Sequence, residues 1–148
     1  MTRLLSLILA CGLCASAANA EIRNYECELH SIQAQGWIPP KVLLSVDAEN
    51  KQARVLDGAI MSANDIAGRD EQTPMKAKFK NKRQGGYQMS WRVTMSSTTT
   101  RQLRVAYTAV LDPNSNKFTM RANFPMDNVT NRPSGVGHCT QVKGPNLF

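Results

Sequence analysis

The sequence predicts an all-β fold, an antiparallel meander of about eight strands closed into a small barrel or a barrel-like sandwich. Three observations carry that expectation. Apolar and polar residues alternate with period two through most of residues 21–148, as they do when successive side chains point to opposite faces of a sheet. Short segments rich in Gly, Pro, Asn and Asp separate the alternating runs. Cys27 falls in the first run and Cys139 in the last, so a bond between them ties the ends of the meander together.

Residues 1–20 stand outside this pattern. Arg3, an apolar run from Leu4 to Leu13 and the ending Ala18-Asn19-Ala20 read as a secretory signal peptide cleaved before Glu21. The run is too short to span a bilayer. Ile8-Leu9-Ala10-Cys11 loosely matches a lipidation signal, which leaves acylation of Cys11 as the alternative. Removing the leader leaves 148 − 20 = 128 residues, the size of one domain around one core. No second apolar stretch approaches transmembrane length. Periplasmic or secreted localisation and a soluble mature chain are therefore expected.

Of the four Cys, only Cys27 and Cys139 remain in the mature chain, and two thiols in an oxidising compartment most simply pair. Neither has a second Cys nearby to begin a zinc site.

Each element follows in order. Tyr25, Cys27 and Leu29 alternate with Glu26, Glu28 and His30, and Val42, Leu44 and Val46 follow Pro39-Pro40. Ala53 to Ile60 reads as a third, less regular strand, and the helical candidate is a short turn around Ser62 to Ala67, limited by Gly68 and Pro74. Met75, Ala77 and Phe79 form the apolar phase of the fourth run. Gln84-Gly85-Gly86 marks a hairpin into Tyr87, Met89, Trp91, Val93 and Met95. A polar turn from Ser96 to Thr100 leads to Leu103, Val105, Tyr107, Ala109 and Leu111, and residues 112–116 turn the chain again. Phe118, Met120, Ala122 and Phe124 make the next apolar face. A loop from Pro125 to Ser134, carrying the glycosylation-type triplet Asn128-Val129-Thr130, precedes a final strand from Gly137 to Val142. In a flat sheet of eight strands the two Cys would lie about seven spacings of roughly 4.8 Å apart, so their pairing requires the sheet to curl.

The loudest segment is Met75 to Arg83, with five basic residues in nine in a chain of net charge +7. Lys76, Lys78, Lys80 and Lys82 occupy the polar phase, with Arg83 following, so folding explains half of the signal: they line the outward side of a strand. That all these charges share one sign leaves contact with a polyanion or an anionic membrane surface as the functional reading. A nucleic-acid reader would interleave aromatics or carry its cations on a groove-reading helix. Neither is present, and nucleic acid is set aside as a partner.

The segments YECELH, GWIPPKVLLSVD, ARVLDGAI, MSWRV and the late GHC give the chain a likeness. It resembles an uncharacterised family of small exported single-disulfide proteins of Gram-negative bacteria. The plan of leader, eight strands and one terminal disulfide is also similar to that of periplasmic barrel-type lysozyme and protease inhibitors. That likeness implies a barrel and no particular activity, because architecture does not transmit function. The short inhibitory motifs of the C-type lysozyme inhibitors are missing.

For catalysis the chain offers two histidines, His30 and His138, and no nucleophile elbow, zinc-protease motif, phosphate loop or dinucleotide fingerprint. The expectation is a non-enzymatic binding or interaction protein without a cofactor, its partner an envelope protein or an anionic surface. Two alternatives stand beside it: an inhibitor of an enzyme such as a lysozyme or protease, and a carrier holding a small hydrophobic ligand among Met75, Phe79, Met89, Trp91, Met95, Tyr107, Phe118, Met120 and Phe124. Trp37, before the stiff Pro39-Pro40 pair, is either a loop contact or a cap on the barrel mouth. If Cys27 faces Cys139 in an antiparallel pair, partner numbers sum to 27 + 139 = 166. Glu28 then lies opposite His138 with His30 diagonal to it, a weak metal candidate or a surface hydrogen-bonded pair.

Overall fold

In the computed structural model, which describes residues 21–33, 36–96, 102–125 and 132–148, eight antiparallel strands close into a barrel in sequence order. They are β1 (Ile22–Ser31), β2 (Lys41–Asp47), β3 (Gln52–Asp57), β4 (Met75–Asn81), β5 (Tyr87–Ser96), β6 (Gln102–Asp112), β7 (Lys117–Asn123) and β8 (Ser134–Val142). One helix, α1 (Gly58–Ile66), joins β3 to β4. The seam is β1 on β8, where Cys27 pairs with Cys139 in register and the two form a disulfide with their Cα atoms 3.9 Å apart. Closure satisfies both outer edges of the meander and resolves barrel from sandwich in favour of the barrel. The leader, with Cys11, and the Asn128-Val129-Thr130 triplet lie outside the described residues.

The apolar phase of every strand faces inward. Cys27, Val42, Val55, Met89, Leu111, Phe118 and Met120 are fully buried, and Trp91, Tyr107 and Phe124 nearly so. Met75, Phe79 and Met95 pack against this core from partly buried positions. The side chains named as lining for a carrier cavity therefore act as core.

The third strand is shorter than expected and the helix longer. β3 stops at Asp57, whose Oδ1 accepts from the Ile60 N–H at 2.8 Å and caps the first turn of α1. Gly58, Ala59 and Ile60 thus belong to the helix. At its other end Gly68 takes φ +65°, its N–H donates to the Asp65 carbonyl, and the Arg69 N–H donates to the Asn64 carbonyl. These two bonds make the glycine-terminated helix end that satisfies the last carbonyls.

The two barrel ends differ. Connections 48–51, 82–86 and 113–116 at one end are tight turns, and Gly85 at φ +78° supplies the left-handed residue of the second. The other end carries, among the described residues, 36–40 and the connection 58–74 with α1. Long loops on a rigid frame are where binding surfaces concentrate.

After β8 the chain folds back across the outside of β1, β2 and β3. Asn24 donates to the Lys143 carbonyl at 3.4 Å, and Ser45 donates to Asn24 Oδ1 at 2.6 Å. The Leu147 N–H donates to Ser45 Oγ at 2.9 Å. Leu147 is buried there, and the Phe148 ring sits 6.0 Å from the Arg54 guanidinium. This strap explains why Asn24 and Ser45, in the outward phase, are buried.

Candidate functional site

Three groups of side chains merit a functional reading. The first is the outer face of β3–β6. Lys76, Lys78 and Lys80 are exposed on β4, and Lys82 with Arg83 continue into the turn beyond it. Arg54 on β3 stands opposite Lys76. Arg92 on β5 and Arg104 on β6 are exposed in the same outward phase, and Arg104 registers with Thr94. The β4 row is legible in the sequence, whereas these three arginines come beside it only through the strand register. Between β4 and β6 lies an open hollow lined by Lys76, Lys78, Ser90, Arg92, Ala106 and Thr108. Its floor is made of small side chains, with Ser90 Oγ and Thr108 Oγ1 3.3 Å apart.

On the far side, β1 and β8 present the second group. Glu28 registers with His138, as the disulfide register requires, and His30 registers with Val136 two residues away. A shallow hollow here is lined by Glu26, Glu28, His30, His138, Thr140 and Val142. Glu26 forms an ion pair with Lys41 at 2.6 Å. Neither a hydrogen bond nor an ion pair joins Glu28 to His138 among the described residues, and no group of three or more His, Cys, Asp or Glu there is arranged to hold a metal ion. The shared face is as expected; the metal set and the hydrogen-bonded pair are not formed. Outward strand residues diverge on a convex wall, so a shared face does not make side chains converge.

The third group lies at the loop-bearing end. Trp37 is half-buried, its ring edge-on to Phe124 with centroids 5.0 Å apart, and its carbonyl accepts from the Tyr107 hydroxyl at 3.0 Å. It caps the barrel mouth, beside an open apolar hollow lined by Pro39, Pro40, Gly58, Ala59 and Met95. Beneath it Asp57 is 3 % exposed. Burial pushes its carboxyl up to about 6, against the opposing pull of the Ile60 and Ala59 N–H groups and the Trp91 indole. Burial also raises the Tyr107 hydroxyl, and the nearby Asp57 charge adds to that. The signal for Asp57 was in the sequence: an acid in phase with Ala53 and Val55 on an inward face.

Next to α1 the chain forms a tied exposed turn. Asn64, 3 % exposed, donates through Nδ2 to the Glu71 carbonyl at 3.2 Å and the Thr73 carbonyl at 2.9 Å. The Thr73 N–H donates to the Asp70 carbonyl at 3.0 Å, and Asp70 Oδ1 accepts from the Gln72 N–H at 2.9 Å. Comparison with protein-family models, with curated proteins and with solved structures finds no match to this chain.

Proposed function

We propose that this is a non-enzymatic binding protein, exported to the periplasm or beyond, that engages its partner through its exterior. The observation that carries this reading is the filled barrel: large side chains from β1, β2, β5, β6 and β7 occupy the interior, and the recesses of the surface are open hollows on the walls and ends. An interior so occupied favours contact from outside over a ligand held within. The leader-like residues 1–20 and the Cys27–Cys139 bond support the exported location. The non-enzymatic part is supported by the separation of the titratable groups, since His30 and His138 are exposed on the outer wall while Asp57 is buried on the inward phase of β3.

A second reading, inhibition of an enzyme such as a lysozyme or protease, is favoured by the turn 69–73. Asn64 holds its carbonyls in place, and a turn already ordered enters a partner's cleft with little further entropic cost.

The test uses the secreted, processed protein. Mass spectrometry should find Glu21 first and no acyl group on Cys11. Thermal-shift titration with fatty acids and other small hydrophobic ligands should leave the melting temperature unchanged, because binding to the folded state alone raises it. A saturable stabilisation by such a ligand, with the same ligand copurifying, would overturn exterior binding in favour of a carrier.

A further inference from the structure

The charges on the barrel wall are segregated. Outward positions of β3–β6 carry Arg54, Lys76, Lys78, Lys80, Arg92 and Arg104, and their one carboxylate is Asp112 at the far end of β6. Among the described residues the ion pairs are Arg23–Glu21 and Lys41–Glu26, so none of the six cations is neutralised by a neighbour. The acids lie off this face: Glu26 and Glu28 on β1, Glu49 in the β2–β3 turn, and Asp65, Asp70 and Glu71 on the α1 connection. Like charges held together without counterions are repulsive in the free protein, and an anionic partner relieves that repulsion.

Geometry narrows the partner. The three β4 lysines recur every second residue, about 6.6 Å apart along the strand, and Lys82 with Arg83 prolong the row toward the tight-turn end. Arg54 flanks the row on one side, Arg92 and Arg104 on the other. The hollow beside the row has a floor of Ser90, Ala106 and Thr108, small enough for a chain to lie along it and carrying two hydroxyls that can bond to sugar hydroxyls. A bilayer is flat and is gripped by apolar anchors, yet among the described residues the exposed large apolar side chains Ile32, Ile66 and Val136 lie elsewhere and only Phe148 borders this face. Single-stranded nucleic acid needs exposed aromatic faces for stacking, and the face has none in its midst.

We propose that the outer face of β3–β6 is a docking surface for an extended anionic polysaccharide, with Lys76, Lys78 and Arg92 gripping its acidic groups over the Ser90–Thr108 floor. This rests on the exterior-binding reading and gives it a partner class.

The experiment is calorimetric titration of the processed protein with a heparin octasaccharide at low salt, beside vesicles of phosphatidylglycerol and phosphatidylcholine and an oligo-dT strand. Two triple variants lose the same charge: Lys76→Gln/Lys78→Gln/Arg92→Gln on the face, and Lys41→Gln/Lys117→Gln/Lys143→Gln off it. Circular dichroism melts establish that both are folded. The expected result is saturable octasaccharide binding that weakens by about tenfold or more in the face variant and by less than about threefold in the other, with a shallower salt dependence only in the former. Equal weakening in both variants, no saturable binding, or stronger binding to vesicles or oligo-dT at the same salt would overturn the proposal. Such a failure leaves exterior binding standing, because that reading falls only to an interior ligand in the separate thermal-shift measurement.

Discussion

Asp57 and Trp91 meet inside the barrel wall, and the carboxylate Oδ2 of one and the indole Nε1 of the other are the buried side-chain polar atoms without a strict hydrogen-bond partner among the described residues. The indole still draws the carboxyl toward its charged form, but burial dominates and holds its pKa near 6 against an ordinary 3.8. A carboxyl raised in the folded state favours the protonated fold. Its stabilisation is whole below pH 3.8 and is lost as pH rises through about 6.

Urea unfolding across this window should therefore show the wild type losing up to about 3 kcal/mol that Asp57→Asn does not lose. The amide oxygen of Asn keeps the cap on Ile60. Asp47 and Asp112, held low by hydrogen bonds from Asn50 and Ser115, work in the opposite sense, losing their contribution as pH falls, and they cancel in the difference. Parallel slopes for the two proteins would refute the assignment.

Gly137 sits at the seam, opposite Leu29 on β1 and Phe118 on β7. A Cβ there would overlap the Glu28 carbonyl, which is backbone and cannot swing away. Gly137→Ala should cost at least about 2–3 kcal/mol and more than Gly135→Ala, where the Ile38 Cγ2 at 2.7 Å is a side-chain atom that must shift and the His30 carbonyl lies at 3.2 Å, far less close than the overlap at Gly137. Denaturation midpoints decide the order of the two; the reverse order would show that the seam relaxes.

Replacing Cys27 and Cys139 together by Ala should lower stability by about 4–5 kcal/mol, the chain-entropy value for a separation of 112 residues. Comparison of the oxidised wild type with the double variant in urea measures it. A difference below about 1 kcal/mol would mean that the Cys27–Cys139 cross-link restricts the unfolded chain little.

Asn64→Ala removes the donor shared by the Glu71 and Thr73 carbonyls and should cost about 1–3 kcal/mol. Hydrogen exchange at Arg69 and Thr73 should quicken while β1 and β8 amides keep their protection. Unchanged exchange in the turn would show that Asp70 alone orders it.

The strands were legible because burial on one face of a barrel enforces period two, and Cys27 with Cys139 converted that pattern into a closed topology and a register correct at Glu28 and His138. The start of α1 was not, since Ala59 and Ile60 extend the apolar character of Ala53 and Val55 and mask the capping signal of Asp57. The burial of Asn24 and Ser45 was equally hidden: outward polar residues read as solvated until the chain beyond β8 covers them. Lys76, Lys78 and Lys80 announced themselves within one strand, but Arg54, Arg92 and Arg104 join them only through pairing between strands distant in sequence. Such proximity leaves no local signature.

Because Cys27 belongs to the first strand and Cys139 to the eighth, a chain made from its N-terminus holds Cys27 without its partner through almost the whole of its synthesis. The matching sulfur arrives only when every intervening strand has already been made. Formation of this one bond thus works as a completeness check: a chain truncated before β8 lacks the partner of Cys27 and leaves two sheet edges bare, so that covalent closure reports that all eight strands have been made.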